Sequence, residues 1–400
     1  MDFLLQGHEI NLKGGNRAFF TSRLRHNLKL LLAGTGSRVR MQGFGFHLTC
    51  PDEMEAEVRA RLDRALGVQK IVAGRRADNT IEAIAAVALE TIAAQQGDSF
   101  GLDVRRPDKA VPFTSQQVAI EAGRFIQQQL GLKVNLRHPG RVCTIVLSRD
   151  GTLVSRAPEA GPGGMPAGTA GRLMALISAG FDSPVAAYRL IRRGANVGMV
   201  HFYGSGSRTG ESSQLVVDGI ARTLTRYQFH TSIYFCRLEP VQREIVLGAP
   251  SKYRVLLYRR MMLRIAESIA RRNNIHGLIT GDSLAQVASQ TIRNLEAVGA
   301  ATTLPIYRPL IGDDKITIMD EARRIGTYDL SAGSTEDCCS AFMPPAPALT
   351  SSPRELEEAE SGLDIEALIQ LGLAHTESRR YHLQDNRVVE SYPPRGPREE

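Results

Sequence analysis

The spacing of apolar residues before position 157 changes repeatedly between a helical and an extended period. Apolar side chains three and four residues apart predict a helix that Asn79 caps and that runs to about Gln96. Strict alternation over 100–105 predicts a half-buried strand. A second helical pattern starts at Ser115 and stops before Gly131, a residue type common at helix ends. Helices and strands therefore mix over short distances in this part of the chain.

Two strands and one more helix complete the pattern of the N-terminal part. Apolar stretches at 142–147 and 153–155 flank a Ser-Arg-Asp-Gly turn and predict a β-hairpin. A helix is predicted across 16–32, inside a smaller α/β piece that residues 1–50 form. Elements mixed in this order are typical of α+β domains.

Residues 157–171, with the sequence APEAGPGGMPAGTAG, interrupt every periodic pattern. This Pro, Gly and Ala composition predicts a linker or an extended loop, which divides the chain. Strands and helices then alternate regularly, which predicts a doubly wound, mostly parallel sheet that binds ligands at the carboxyl ends of its strands. The predicted strands are 173–177, 197–202, 232–236 and 277–280, and the predicted helices are 183–194, 213–227 and 251–272.

Composition narrows the class of protein without choosing a function. Of the 400 residues, 42% are hydrophobic and 23% are charged, which is ordinary for a soluble protein of several domains. No apolar run reaches the roughly 18 residues of a membrane span, and the first residues lack the pattern of a signal peptide. The five cysteines show neither a disulfide framework nor the pairs of a zinc site. We therefore expect a cytoplasmic protein with no membrane partner.

Charge is distributed unevenly along the chain. Residues 1–160 carry 22 Lys and Arg against 16 Asp and Glu, residues 161–350 carry 21 against 15, and residues 351–400 carry 6 against 11. Each of the two basic blocks suits a polyanion such as RNA. A solvated basic surface is nevertheless the commoner reason for such an excess, so charge alone does not assign a partner.

The loop at 178–183, Ser-Ala-Gly-Phe-Asp-Ser, joins the first strand after the break to its helix and has the features of a phosphate site. Small residues let backbone N–H groups approach oxygen atoms, serine hydroxyls donate, and the helix N-terminus supplies partial positive charge. The Asp in this loop is expected to orient a Mg²⁺-bound or leaving pyrophosphate. Walker and dinucleotide-binding motifs are both absent from the sequence. Taken alone, the loop fits a plain strand-to-helix turn equally well.

The Ser-x-Gly-x-Asp-Ser order resembles the PP-loop of ATP pyrophosphatases. Further segments that carry a resemblance are, in order, GHEINLKGGNRAFF, GPGGMPAGTAGR, LISAGFDSPVAAYRLIRRG, VHFYGS, YRRMMLRIAESIA, ITGDSLAQVASQT, LPIYRPLIGDDK, RRIGTYDLS and TEDCC. Through them nearly the whole chain is similar to the tRNA 4-thiouridine synthetase (tRNA uracil 4-sulfurtransferase) family. One departure is Ala179, where the family usually has glycine; its Cβ would cost about 1 kcal/mol if the backbone had a positive φ there.

The resemblance implies an α/β fold in which α+β ferredoxin-like and THUMP domains precede a PP-loop domain with a doubly wound, mostly parallel sheet. The end of the chain is expected to hold a Pro-rich segment, a short helix near 363–373 and an acidic tail, without the rhodanese domain of some members. The implied divisions are a ferredoxin-like domain at 1–52, a tRNA-binding THUMP domain at 53–157, a Gly/Pro linker at 158–171, a PP-loop ATP pyrophosphatase domain at 172–345 and a C-terminal extension at 346–400.

The resemblance also implies ATP, with Mg²⁺, across the strand ends, and Asp182 as a catalytic residue. Each implied contact, taken alone, is more often a core or surface residue, although the planar, permanently charged guanidinium of Arg259 suits a phosphate. Asp282 is a weaker candidate for a further hydrogen bond. The implied ATP-binding residues are Leu176, Ile177, Ser178, Gly180, Ser183, His201, Phe202, Arg259, Gly281 and Gln290.

Sulfur transfer needs a thiol, and the resemblance matches Cys338 to the family's persulfide cysteine. The thiol follows two acidic residues, which raise a thiol pKa, so a basic neighbour is expected to compensate. A buried, inert thiol is the usual alternative for a free cysteine. The adjacent Cys339 either resolves the persulfide or is incidental. An iron–sulfur cluster would need three or four thiolates, so we expect no metal centre.

The implied reaction is adenylation of a uridine O4 of tRNA (position 8 in the family), followed by attack of a cysteine persulfide to give 4-thiouridine. The implied partners are tRNA, a cysteine desulfurase as persulfide donor, a sulfur-carrier protein if the chain also serves thiamine thiazole synthesis, and a second copy in a homodimer. Two alternatives stay open. Another PP-loop adenylating enzyme would leave the cysteine pair unexplained, and a tRNA-binding protein with a PP-loop impaired by Ala179 would not turn over ATP.

Overall fold

The computed structural model describes residues 1–42, 45–149, 151–204, 209–333 and 348–391. The chain divides into two compact units, Met1–Met165 and Pro166–Glu400. The division falls within the Pro, Gly and Ala segment that interrupts the periodic patterns of the sequence. Within the described ranges, no helix combines the length and the apolar character needed to cross a bilayer.

In the first unit, five helices cover the strands of one continuous sheet. The strands are β1 (Asp2–Gln6), β2 (Arg38–Gln42), β3 (Gly45–Thr49), β4 (Lys70–Ala77), β5 (Ser99–Arg105), β6 (Lys133–Val134), β7 (Arg141–Val146), β8 (Thr152–Ser155) and β9 (Glu159–Ala160), and the helices are α1 (His8–Asn11), α2 (Arg17–Leu31), α3 (Glu55–Leu62), α4 (Ile81–Ala93) and α5 (Ser115–Leu130). The strand order is β2-β3-β1-β4-β8-β7-β5-β6, with β9 pairing β4, among the described residues.

The predicted helices and the hairpin of this unit are present, but one predicted cap is wrong. Helix α4 is capped by the Thr80 hydroxyl, which accepts from the Ala83 N–H. The Asn79 amide instead donates to the Ser148 carbonyl over 2.8 Å, and its oxygen accepts from the Thr152 hydroxyl. Asn79 thus ties the start of α4 to the β7–β8 hairpin, a long-range role that the local sequence pattern does not reveal.

In the second unit, helices alternate along the chain with the strands of a mostly parallel sheet. The strands are β10 (Arg172–Leu176), β11 (Asn196–Tyr203), β12 (His230–Arg237), β13 (Leu278–Ile279), β14 (Ile306–Tyr307), β15 (Thr376–Gln384) and β16 (Arg387–Ser391), and the helices are α6 (Asp182–Arg192), α7 (Thr209–Gln228), α8 (Glu239–Gly248), α9 (Arg254–Arg272), α10 (Ile292–Gly299), α11 (Lys315–Ile325), α12 (Tyr328–Ala332), α13 (Pro353–Glu360) and α14 (Ile365–Ala374).

The strand order of the second sheet is β14-β13-β10-β11-β12-β15-β16. The next strands in sequence, β11 and β12, lie on one side of β10, and the later strands β13 and β14 lie on its other side, so the order switches at β10. The pairs β10–β11, β11–β12, β10–β13 and β13–β14 are parallel. Parallel sheets of this kind bind ligands in the crevice at the carboxyl end of the strand where the order switches. The end of β10, where the loop 178–183 begins, is that position.

Part of the expected acidic tail is a hairpin, whereas residues 392–400 lie outside the described residues. Residues 376–391 form the antiparallel β15–β16 hairpin, which joins the sheet at β12. Only Tyr381 and Leu383 of this hairpin are buried apolar residues. Polar and charged residues together dominate the segment, so its alternation is too weak to predict a strand from the sequence.

Helices α13 and α14 complete the hydrophobic core around α9. Leu356 of α13 and Leu368 of α14 belong to the same buried cluster as the apolar face of α9. The Arg260 guanidinium pairs with the Glu360 carboxylate over 3.0 Å, and both are buried. The first turn of the predicted long helix is a separate 3-10 turn at Ser251–Tyr253, and α9 itself begins at Arg254.

Candidate active site

The loop 178–183 is closed on itself by its two serines. The Ser178 N–H donates to Ser183 Oγ over 2.8 Å, and the two hydroxyl oxygens are 3.1 Å apart. Ser183 lies in the first turn of α6, so the loop ends at a helix N-terminus. Hydroxyls, close backbone and a helix N-terminus together suit the binding of phosphate oxygens.

Ala179 lies in this loop without backbone strain. Its φ is not positive, and its methyl group is buried at 4% exposure. The position therefore needs a small residue and not a left-handed backbone. Gly180 also lacks a positive φ, and a Cβ there would meet only Ser178 Oγ, at 3.6 Å.

Asp182 opens α6 and is paired with a lysine from a distant part of the chain. Lys315 Nζ lies 2.5 Å from Asp182 Oδ1, and Gln286 Nε2 donates to Asp182 Oδ2 over 3.1 Å. Lys315 Nζ also lies 5.5 Å from the centre of the Phe181 ring. The site thus contains a carboxylate and an ammonium group next to the serine hydroxyls.

Lys315 is a residue of the site that the sequence motifs do not single out, although its position in the chain carries one signal. Lys315 is the first residue of α11, directly after the capping Asp314. A lysine at a helix N-terminus is unfavourable for the helix dipole. A lysine at such a position is therefore expected to interact with a group outside its own helix, which here is the Asp182 carboxylate.

Asp282 gathers polar side chains on one wall of the site. Arg259 Nη2 lies 2.5 Å and Gln290 Nε2 3.4 Å from its Oδ1. The Thr280 hydroxyl at 2.7 Å and Arg308 Nε at 3.3 Å donate to its Oδ2. Burial raises the pKa of Asp282, but the nearby arginines and the Thr280 hydroxyl outweigh it and hold that pKa below its usual range. The carboxylate is therefore ionised, and it orients the surrounding donors.

Gly281 is required by the close approach of the loop 178–183. A Cβ at Gly281 would lie 2.7 Å from the Ser183 N and 2.9 Å from the Asp182 carbonyl carbon. The start of α6 thus occupies the space that a side chain at 281 would need.

A cavity of about 380 Å³ connects these groups. Its size is in the range of small-molecule sites. Its walls also include Lys252 and Ala348, which the sequence did not predict. The predicted residues that line it are Leu176, Ser178, Asp182, Ser183, Arg259, Gly281 and Gln290.

Four predicted residues do not line this cavity. Ile177 and Phe202 are buried in the core, and Gly180 is exposed on the loop. His201 is buried, with Nδ1 at 2.8 Å from the Ile177 carbonyl and Nε2 at 3.2 Å from Ser213 Oγ. Burial lowers the pKa of His201 to about 4, so the ring is neutral near pH 7. Their part in nucleotide binding stays a prediction.

Cys338 and Cys339 lie outside the described residues, but the chain on both sides is held next to the cavity. The Ser331 hydroxyl donates to the Gly180 carbonyl over 3.3 Å. The Ala348 N–H donates to the Lys252 carbonyl over 3.0 Å. The described residues before and after the two thiols therefore include Ser331, which contacts the loop, and Ala348, which lines the cavity.

The three other cysteines fit the structural role that the sequence predicts. All are buried. Burial raises the pKa of Cys143 to about 12, raises that of Cys236 to about 11 and raises that of Cys50. A buried thiol with a raised pKa is a poor nucleophile.

The arrangement can bind a polyphosphate and a hard cation. The serine hydroxyls, Lys315 and Arg259 suit phosphate oxygens, and the Asp182 carboxylate is the kind of oxygen ligand that Mg²⁺ prefers. Within the described residues, no group of three His, Cys, Asp or Glu side chains forms a protein-only metal site.

Three family models match the chain in consecutive segments. The thiamine biosynthesis protein (ThiI) model matches residues 168–365, the ThiI ferredoxin-like domain matches 2–72, and the THUMP domain matches 75–156. The fold class predicted from the sequence is confirmed by these matches and by the two sheets.

Two curated relatives are similar to almost the whole chain. A probable tRNA sulfurtransferase of Thermus thermophilus is 41% identical over 377 residues, which cover 94% of this chain and 92% of the relative. A probable tRNA sulfurtransferase of Treponema pallidum is 38% identical over 373 residues, covering 92% and 93%.

Two solved structures share the architecture. A crystal structure of a 4-thiouridine synthetase–RNA complex with bound ATP matches with a TM-score of 0.87 and 29% identity, covering 95% of this chain and 99% of that one. The structure of PH1313 from Pyrococcus horikoshii matches with a TM-score of 0.61 at 19% identity, covering 81% and 99%, which is a likeness of fold.

Proposed function

Because the chain belongs to the ThiI family of tRNA sulfurtransferases, we propose that it converts a uridine of tRNA, at position 8, into 4-thiouridine. Family membership identifies a sulfur-transferring enzyme that acts on tRNA and uses ATP. The observation that carries the proposal is the cavity at the end of β10, where the serine loop, Asp182 and Arg259 meet.

ATP binds in this cavity with its phosphates at the loop 178–183. The loop hydroxyls and the N-terminus of α6 bind the phosphates that leave as pyrophosphate, and Lys315 offsets the charge that develops on them. The ion pair between Lys315 and Asp182 keeps both groups at the loop before the nucleotide arrives. Asp182 is the residue that would hold Mg²⁺ here, and the cation would supply further charge neutralisation.

The uridine O4 then attacks the α-phosphate, and pyrophosphate leaves. The O4 of uridine is a poor leaving group, whereas AMP bound through that oxygen is a good one. Arg259, a permanently charged group on the cavity wall, suits the α-phosphate during this step.

Sulfur comes from a persulfide on Cys338. Its terminal sulfur attacks C4 of the adenylated uridine and expels AMP, and a thiol then cleaves the remaining S–S bond, which leaves sulfur on C4. The contacts of Ser331 and Ala348, which lie before and after Cys338 in the chain, support this role because Ser331 contacts the loop 178–183 and Ala348 lines the cavity.

The partners follow from the same scheme. tRNA is held through the basic first unit, by shape, phosphate and 2′-hydroxyl contacts. A cysteine desulfurase, the class of enzyme that forms persulfides from cysteine, loads Cys338. A sulfur-carrier protein for thiamine thiazole synthesis is a second acceptor of the same persulfide. A homodimer would let one tRNA contact the first unit of one copy and the second unit of the other.

The experiment that tests the nucleotide step measures AMP and pyrophosphate from Mg-ATP with unmodified tRNA. The wild type should form both, Asp182→Asn should form almost none, and Lys315→Gln should be strongly impaired. Asp320→Asn, an exposed carboxylate of α11 paired with Arg323, is the matched control and should keep full turnover. Equal turnover in Asp182→Asn and the wild type would overturn the assignment of the loop.

A further inference from the structure

Asp282 holds two of the implied nucleotide contacts at once. Its Oδ1 accepts from Arg259 and from Gln290, and its Oδ2 accepts from Thr280 and Arg308. The carboxylate is 4% exposed, so water does not compete for these contacts. Four donors on two oxygens leave the carboxylate one orientation.

The chemistry of Asp282 decides which way the Gln290 amide points. An ionised carboxylate only accepts hydrogen bonds, so the NH₂ group of Gln290 must face it. The amide oxygen Oε1 therefore faces away from Asp282. That oxygen is buried and has no hydrogen-bond partner in the described part of the chain.

A buried acceptor without a partner costs free energy, so it is uncommon unless a ligand supplies the donor. Gln290 lines the cavity together with Asp282 and Arg259. A nucleotide in that cavity carries such donors, namely the 6-amino group of adenine and the ribose hydroxyls.

We propose that Asp282 is a positioning residue for nucleotide recognition: it turns the Gln290 amide so that Oε1 accepts a hydrogen bond from an N–H or O–H of the bound nucleotide, and it aims Arg259 into the same cavity. This inference rests on the proposed ATP site. It adds Asp282 as the residue that orients Gln290, so that the site favours nucleotides with a hydrogen-bond donor at that position.

The test compares nucleotide affinities in the wild type and in Asp282→Asn. An asparagine presents an oxygen to one side only, and its NH₂ would face donors on the other side, so both partners lose their fixed orientation. We expect ATP to bind tenfold to a hundredfold more weakly, on the order of one charged hydrogen bond. The matched control is Glu321→Gln, which removes a carboxylate that is 11% exposed and paired with Arg189 over 2.8 Å; it should leave ATP affinity unchanged.

Analogues identify the donor. Inosine triphosphate lacks the 6-amino group, and 2′-deoxy-ATP and 3′-deoxy-ATP each lack one ribose hydroxyl. The wild type should bind one of these at least tenfold more weakly than ATP, because Oε1 then stays unpaired. Asp282→Asn and Gln290→Leu should both lose that discrimination, while thermal unfolding shows that they are folded.

Two results would overturn the inference, and a third concerns the proposed function itself. The inference fails if the wild type binds all three analogues like ATP, or if Asp282→Asn keeps the full discrimination. If the wild type binds no nucleotide, the ATP site fails, and this inference fails with it.

Discussion

Two glycines near the loop 178–183 differ in what they do for the fold. Gly281 lies so close to the Ser183 backbone nitrogen that a Cβ would overlap it, whereas Gly180 has open space around it. The glycine at 281 is thus a packing requirement of the protein. The glycine at 180 is free of such a requirement, so the space beside it is available to a ligand.

We predict that the two glycine-to-alanine substitutions affect different properties, stability at 281 and ATP binding at 180. Gly281→Ala should lower the free energy of unfolding by roughly 1–3 kcal/mol, because the start of α6 must shift. Gly180→Ala should unfold like the wild type and raise the KM for ATP instead. Thermal unfolding together with ATP kinetics checks both; a destabilised Gly180→Ala with a wild-type KM would contradict the interpretation.

His201 contacts the backbone directly before the loop 178–183 and does not line the cavity. Its Nδ1–H donates to the Ile177 carbonyl, directly before the loop, and its ring is buried. The implied nucleotide contact at this position therefore does not come from an imidazole that lines the cavity.

The lowered pKa of His201 predicts a loss of stability in mild acid. Its pKa is about 4 in the folded protein and 6.5 in a model peptide, so the unfolded chain binds more protons between these values. The stabilisation is complete above pH 6.5 and falls as the pH drops toward 4, by about 2 kcal/mol between pH 7.5 and 5.

Urea unfolding at the two pH values measures this difference. His201→Gln, whose amide can still donate to Ile177, should lose less stability than the wild type on going to pH 5. His276→Gln, at an exposed histidine of the same unit, is the control and should behave like the wild type. Equal acid sensitivity in wild type and His201→Gln would contradict the assignment.

The loop is suggested by one motif, and Arg259, Gly281 and Gln290 are implied by the family resemblance, but the ion pairs that join distant segments are not predicted. The loop with Ser178 and Asp182 follows from six consecutive residues. Lys315 and Arg308 do not, because each acts through a carboxylate far along the chain. No periodicity or spacing predicts which charges meet at the ends of parallel strands.

At the scale of elements, the end of the chain is part of the second unit's core. Glu360, at the end of α13, accepts from Arg260 and from Arg264 of α9, with distances of 2.8–3.0 Å. Burial raises the pKa of Glu360, but the two arginines outweigh it and hold that pKa below its usual range. The helix α9 that carries Arg259 is therefore fixed in part by a helix near the end of the chain.

Removing this carboxylate should be costly. Glu360→Ala leaves the buried Arg260 guanidinium without its partner, and breaking such a pair typically costs about 3–5 kcal/mol. Glu358→Ala, at an exposed residue of the same helix, should change stability by under about 0.5 kcal/mol. Calorimetric unfolding of the two variants checks this; a small effect of Glu360→Ala would show that α13 does not fix α9.

The elements themselves were largely predictable, with informative exceptions. Helices such as α5, with its cap and its terminal Gly131, follow from local periodicity. The β15–β16 hairpin does not, because its strand β15 pairs with β12, about 150 residues earlier. Its few apolar residues become buried only through that long-range pairing.

At the scale of the whole molecule, the sequence does not predict that one sheet runs through the first unit. Strand β4 pairs with β1 on one side and with β8 on the other. The segments matched by the ferredoxin-like and THUMP models therefore share a continuous set of backbone hydrogen bonds. Which strands join two domains depends on strand edges, which a sequence pattern does not specify.

The basic first unit predicts salt-dependent tRNA binding. Each phosphate contact that is lost should weaken binding and reduce the slope of log K against log salt by about 0.7–0.9. Lys133→Gln with Arg137→Gln, two exposed residues of this unit, should weaken tRNA binding and lower that slope. Arg354→Gln, an exposed residue of α13, is the control. A titration series in rising salt measures both, and an unchanged slope would exclude these two residues from the RNA surface.

The most direct test of the central claim is the formation of 4-thiouridine itself. Purified protein would be incubated with unmodified tRNA, Mg-ATP, cysteine and a cysteine desulfurase, and the tRNA would be analysed for 4-thiouridine. The wild type should form it, Asp182→Ala should fail at ATP cleavage, and Cys338→Ser should still cleave ATP but transfer no sulfur. Cys50→Ala is the thiol control and should keep activity. Thiolation by Cys338→Ser at the wild-type rate, or no thiolation and no ATP cleavage by the wild type, would contradict the account.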